Sequence, residues 1–183
     1  MLQLGSRPPV VCSDSNFIGN HINASTAAFW CLEATGSSLV DSVVANNVCS
    51  QESHIQAASR CTITGNHFAT TAAGNFALSV GRAATQSQHN IMDGNTVKTP
   101  PGSERPGIYL HRVRGGSVSG NISHTATYGV LIVGDGATDG WTDYLNVKNN
   151  FSVSQTQVNF PHYSGVTGAD AATVVASNNQ KIT

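Results

Sequence analysis

Carboxylates are scarce in this chain, so any hydrolytic chemistry must be assembled from few parts: there are ten Asp and Glu among 183 residues. Hydrolysis of a glycoside needs two carboxyl groups several ångströms apart, one to protonate the leaving oxygen and one to attack or to activate water. Glu33, Glu52, Asp135 and Asp139 fall near expected strand ends. Glu33 follows the strand around Trp30 and is the best single candidate for a catalytic acid; the plainer reading is a solvated loop carboxylate. The run from Gly134 to Gly140 holds Asp135 and Asp139 and reads as a turn-rich loop. It lacks the ligand spacing and the bidentate Glu of a calcium loop, so no metal is expected there.

The densest cationic stretch holds Arg105, His111, Arg112 and Arg114. His111 stands two places beyond Tyr109, so on a strand both leave the same face. Guanidinium forks match the carboxylates of acidic sugars, and Arg82, after the preceding strand, would extend the patch. The alternative is a solvated basic rim. The seven histidines are scattered, without a metal-binding spacing, and no phosphate loop or serine elbow is present. No cofactor is expected.

The elements that would position these groups come from an internal repeat. Seven segments read apolar, any, small, Asn, as in Ile63-Thr64-Gly65-Asn66 and Val118-Ser119-Gly120-Asn121. Their last residues are Asn20, Asn47, Asn66, Asn95, Asn121, Asn150 and Asn178, with successive differences of 27, 19, 29, 26, 29 and 28. The third column is Gly19, Asn46, Gly65, Gly94, Gly120, Asn149 and Ser177, nearly all residues that enter the left-handed region easily. A sharp bend once per repeat follows, and a ladder of stacked Asn amides would satisfy one another at that corner.

A second strand lies between corners, as in Gly107-Ile108-Tyr109-Leu110 and Gly129-Val130-Leu131-Ile132-Val133. Period-two alternation sends Phe29, Cys31, Ile55, Phe76, Leu78, Ile108, Leu110, Val130 and Ile132 inward, with Ile63, Val118 and Val147 from the corner strands. The outward column is then Trp30, Gln56, Ala77, Tyr109, Leu131 and Asn159. Units this small bury their apolar face only by stacking. The prediction is an all-β, right-handed parallel β-helix of about seven coils over residues 16–183, with 1–15 as a leader or linker, and a rod of roughly 34 Å at ~4.8 Å per coil.

Composition agrees. Only 10% of residues are charged, against about a quarter in an average chain. The net charge of -1 gives no pull towards nucleic acid or anionic membrane. No apolar run reaches the ~18 residues of a membrane span, and no secretory signal is visible. Cys12, Cys31, Cys49 and Cys61 fit no zinc or redox spacing and read as reduced thiols acting as small hydrophobes. Sequons at Asn23, Asn121 and Asn150 are chance matches in an Asn- and Ser-rich chain, two of them within the ladder.

The corner run Cys61-Thr62-Ile63-Thr64-Gly65-Asn66-His67-Phe68, followed by Gly74 and its strand, resembles the parallel β-helix repeat of the pectate-lyase-like superfamily. The resemblance covers about Asn16 to Asn178. That superfamily includes polysaccharide lyases and hydrolases and the tailspikes and tail fibres of bacteriophages. The low charge and the surface rich in Ser, Thr, Asn and Ala look most like a tail-fibre module. The acidic calcium cluster of the lyases and the acid pairs of the polygalacturonases are missing.

What this implies is a homotrimeric virion-tail or extracellular module, part of a longer polypeptide or fibre, that binds bacterial surface polysaccharide. The expected ligand-binding residues are Trp30, Gln56, Arg82, Tyr109, His111, Arg112 and Arg114. Leu131 and Val133, apolar where a solvent-facing strand would be polar, are the expected subunit interface, with a covering loop as the alternative. A polysaccharide-degrading enzyme of the same fold and a structural spacer are the competing functions.

Overall fold

A computed structural model describes residues 2–4, 11–23, 27–31, 38–55, 57–81, 87–124, 127–134, 142–153, 161–164 and 173–182, with the backbone alone at 2–4 and 27–31. The architecture is a parallel β-solenoid with three sheets along its length. The first sheet stacks Leu2–Leu4, Ala27–Cys31, Glu52–Ile55, Leu78–Gly81, Ile108–His111, Val130–Val133 and His162–Ser164, all parallel. The third stacks seven two- and three-residue strands, from His21–Ile22 through His67–Ala69 and Ile122–His124 to Gln180–Ile182. The second sheet is creased. Early coils cross it as two strands, such as Ser38–Val40 and Val43–Ala45, and later coils as one, such as Ser87–Asp93 and Val113–Ser119.

Seven strands stack in the first and third sheets, but the closed solenoid amounts to about five turns rather than the seven expected. The reason is burial. A coil with neighbours on both sides buries its inward side chains, and the apolar core runs from Leu39 to Val147. Beyond it, Cys12, Phe17, Ile22 and Val174 are only partly covered, and Val11, Ile18, Val175 and Ile182 are exposed.

The corner between the second and third sheets is the Asn ladder. Each amide Nδ2 donates to the next coil's Oδ1 at 2.8–3.0 Å, from Asn20 through Asn47, Asn66, Asn95, Asn121 and Asn150. Each Oδ1 from Asn47 onward also accepts the preceding Asn backbone N–H, and each Nδ2 from Asn47 onward donates to a strand carbonyl such as Ile63 O. The amides are therefore saturated although they are buried. The last member is Asn179, not Asn178. Asn150 donates to Asn179 Oδ1, while Asn178 holds the left-handed bend at φ 53°. Ala176, not Val175, aligns with Val147, so the last repeat slides by one residue.

The crease of the second sheet has its own left-handed bends at Asp14, Asp41, Arg60, His89, Gly115 and Tyr144. Behind them Ser42, Cys61 and Asn90 form a second buried polar column. Asn90 Oδ1 accepts from Cys61 N–H at 3.0 Å, and Asn90 Nδ2 donates to Ala58 O at 3.0 Å. Cys12, Cys49 and Cys61 are free thiols, and burial pushes Cys49 up to about 11, while the Cys61 thiol donates to the Leu39 carbonyl at 3.3 Å.

Candidate functional site

Ile55, Val80, Leu110 and Ile132 are fully buried, so their neighbours on each strand face away from the core. Strand register makes the outward column His54, Ser79, Tyr109, Leu131 and His162, with Gln3 and Trp30 at the matching backbone positions of the first two strands. Tyr109 and Leu131 stand where the alternation put them, and Trp30 shares their register. Ala77 does not: it lies in the core, and Ser79 takes its place. His54 occupies the place expected for Gln56, and His162 that of Asn159. Gln56 and Asn159 themselves lie outside the described residues, as do Glu33, Arg82 and the side chain of Trp30.

Phe76 is buried, as expected, but packs outside the main core cluster. Its ring meets Tyr109 at 4.5 Å between centroids and His54 at 6.3 Å, both of which flank Ser79 in the outward column. Ser79, which lies between those two positions in the column, is small and fully buried. The alternation fails because Phe76 and Ala77 precede the strand that begins at Leu78. Tyr109 continues the run to His111 at 6.0 Å, and farther along Tyr128 and His162 pair at 4.8 Å. A band of rings thus lines the outer face of the first sheet. Tyr109, His111, Tyr128 and His162 are half-buried, keeping part of each ring open.

The band has charged groups at its margins. Glu52 Oε2 lies 3.5 Å from His54 Nε2 on the same strand face. The Arg105 guanidinium lies 5.1 Å from the Phe76 centroid, and its Nε donates to Gly74 O at 3.1 Å. The cationic stretch is split by the fold. Arg105 and His111 belong to the band. Arg112 turns the corner at φ 56°, its N–H donating to Thr142 Oγ1 at 3.1 Å. Arg114 is on the second sheet, 3.3 Å from Asp143 and over the Tyr144 ring at 5.6 Å. Leu131 and Val133 are half-buried in register with Tyr109 and His111.

Beside the band, the loops 70–77 and 99–107 enclose an open cleft of about 490 Å³ lined by Ala73, Gly74, Gly102, Glu104 and Arg105. No spacing in the sequence marks it, because these loops do not repeat from coil to coil. His54 could have been found: Ser53 and Ile55 frame it as inward residues in the same alternation. Among the described residues no group of three His, Cys, Asp or Glu could hold a metal ion, and no helix is long and apolar enough to cross a membrane. A scan against protein-family models and a search of curated proteins match nothing to this chain.

Proposed function

We propose that this solenoid is a fibre-type module, akin to the tailspike and tail-fibre members of the pectate-lyase-like superfamily, that binds bacterial surface polysaccharide along the aromatic band of its first sheet. The supporting observation is the continuous run His54, Phe76, Tyr109 and His111, ring against ring on a stack of parallel strands. A polysaccharide is a linear repeat, and a solenoid offers a matching position every ~4.8 Å along its axis. Aromatic rings offer contact area at small rotamer cost, and the half-buried Tyr109 and His111 present both an apolar face and a polar tip. On this reading the module acts on the virion tail or another extracellular fibre as a homotrimer. Catalysis is the competing reading. Glu52 with His54 gives one carboxylate and one imidazole, whereas glycoside hydrolysis calls for two carboxyl groups.

The test is an array of capsular and O-antigen polysaccharides probed with the parent, Tyr109→Ala and, on the far corner, Arg60→Ala. Tyr109→Ala should weaken binding about tenfold or more, the equivalent of about 1.4 kcal/mol, while Arg60→Ala binds as the parent does. Equal binding by Tyr109→Ala and the parent removes the band from the site. New reducing ends or unsaturated sugars in the incubated polysaccharide would make the protein an enzyme instead.

A further inference from the structure

We infer that the cleft between loops 70–77 and 99–107 is a subsite for one uncharged, hydroxyl-rich sugar of the bound glycan, read by Glu104 and Arg105. This rests on the polysaccharide reading of the neighbouring band and adds to it where the chain is anchored and which sugars are refused.

The cleft is preformed. Ser103 is fully buried, and its Oγ donates to Ala73 O at 2.9 Å, tying the second loop to the first. Thr127 Oγ1 donates to Ser103 O at 2.6 Å, bracing the same loop from the next coil. Arg105 N–H donates back to Ser103 Oγ at 3.2 Å. The Arg105 side chain is held at its Nε by Gly74 O and lies over Phe76. Its orientation is therefore fixed before any ligand arrives, which lowers the entropy lost on binding. Through Phe76 the cleft is continuous with Tyr109 and the band.

The chemistry of the wall selects the ligand. Glu104 is exposed, and among the described residues it has no hydrogen-bond or ion-pair partner. A carboxylate only accepts, and a guanidinium only donates. Adjacent hydroxyls of a pyranose are both donors and acceptors, so one sugar can give protons to Glu104 and take them from Arg105. A uronic acid would lose against Glu104 what it gains at Arg105, and an amino sugar the reverse, whereas the hydroxyls of a neutral sugar use both members of the pair at once. The cleft volume lies within the range of small-ligand sites, roughly 300–1,000 Å³.

Glycines offer a direct test. A Cβ on Gly74 meets nothing within 4 Å, and the backbone there has no positive φ, so a side chain at 74 projects into open space without strain. Gly74→Trp should therefore occlude the cleft. On the same array of neutral and uronic-acid-containing polysaccharides, the parent should favour neutral ones. Gly74→Trp should lose about tenfold or more in affinity with an unchanged thermal midpoint, and Arg60→Ala, away from the cleft, should bind as the parent. Glu104→Gln should narrow the preference for neutral over uronic glycans. Parent-like binding by Gly74→Trp together with loss in Tyr109→Ala overturns the subsite and leaves the band standing. A parent that prefers uronic glycans also overturns it. If the parent binds no polysaccharide on the array, the subsite falls with the reading it rests on.

Discussion

Asn95 carries four hydrogen bonds through one amide. Its Oδ1 accepts from Asn66 N–H and Nδ2 at 3.1 and 2.9 Å, and its Nδ2 donates to Ile63 O and Asn121 Oδ1 at 2.8 and 3.0 Å. Asn95→Ala strands the Asn66 N–H and the Ile63 carbonyl in a dry interior, at about 1–3 kcal/mol per group. The expected loss in urea unfolding is therefore about 3 kcal/mol. Asn20→Ala, at the exposed first rung, removes one side-chain donation and should lose about 1 kcal/mol or less. Equal losses at the two positions would mean that the ladder is not what holds the corner. At the crease, Arg60 grips Asp41 through both carboxylate oxygens at 2.6 Å. That hydrogen bond and charge hold the Asp41 carboxyl below its ordinary 3.8. With the folded pKa depressed, the contribution is present above the unfolded value and fades as pH falls through the folded one. Both groups are solvent-exposed, so the effect is small and screened by salt. An NMR titration of Asp41 should show a depressed midpoint that returns towards the ordinary value in Arg60→Ala.

Left-handed bends set the element scale, and they differ in what surrounds them. Gly81 has φ 83°, and a Cβ there would run into the His111 carbonyl and the Val113 side chain. Gly94 has φ 62° with nothing within 4 Å, at the corner where Asn46, Asn149 and Asn178 already hold the same bend. Gly81→Ala should therefore cost about 2 kcal/mol or more, combining strain with overpacking. Gly94→Asn should cost well under about 1 kcal/mol, since Asn tolerates this region. Denaturant midpoints of the two variants check the contrast, and a tolerated Gly81→Ala would contradict the packing described. These bends also explain which corner could be read from sequence. The ladder corner pairs a Gly or Asn bend with an Asn in every coil, so its residue types repeat as its geometry does. The last rung went astray because Ser177-Asn178 mimics the pattern. Asn46-Asn47 and Asn149-Asn150 already showed that in a pair the first Asn bends and the second joins the ladder. The crease was illegible because Asp, Arg, His, Gly and Tyr all serve as its bend. There the stacked neighbours impose the conformation and the residue's own preference does not. The band was half legible. Tyr109 followed from strand alternation, but Phe76 and Arg105 arrive from loops whose paths no period encodes.

At the scale of the whole molecule, the face carrying the band also carries two apolar side chains that the chain covers only in part. Leu131 and Val133 continue the outward columns of Tyr109 and His111 and are half-buried. A solvated strand would place polar groups there, and a strand apolar on both faces is usually covered on both. Thr142 Oγ1 donates to Val133 O at 2.8 Å, so the chain itself also approaches the end of that strand. We propose that the rest of the cover comes from copies of the same chain, packed around a threefold axis along the fibre, as cyclic symmetry would close such an assembly. The assembly must leave Tyr109 open to the glycan, so the contact has to lie towards the Val130–Val133 end of the sheet and away from the cleft at Arg105. Light scattering separates this from complete cover by the chain itself. The parent should scatter as a trimer, and Leu131→Lys should scatter as a monomer that keeps the parent's circular dichroism, because Leu131 lies outside the inner core. A monomeric parent, or a Leu131→Lys protein that keeps the parent's mass, removes both side chains from any subunit contact and leaves the band on a single solenoid.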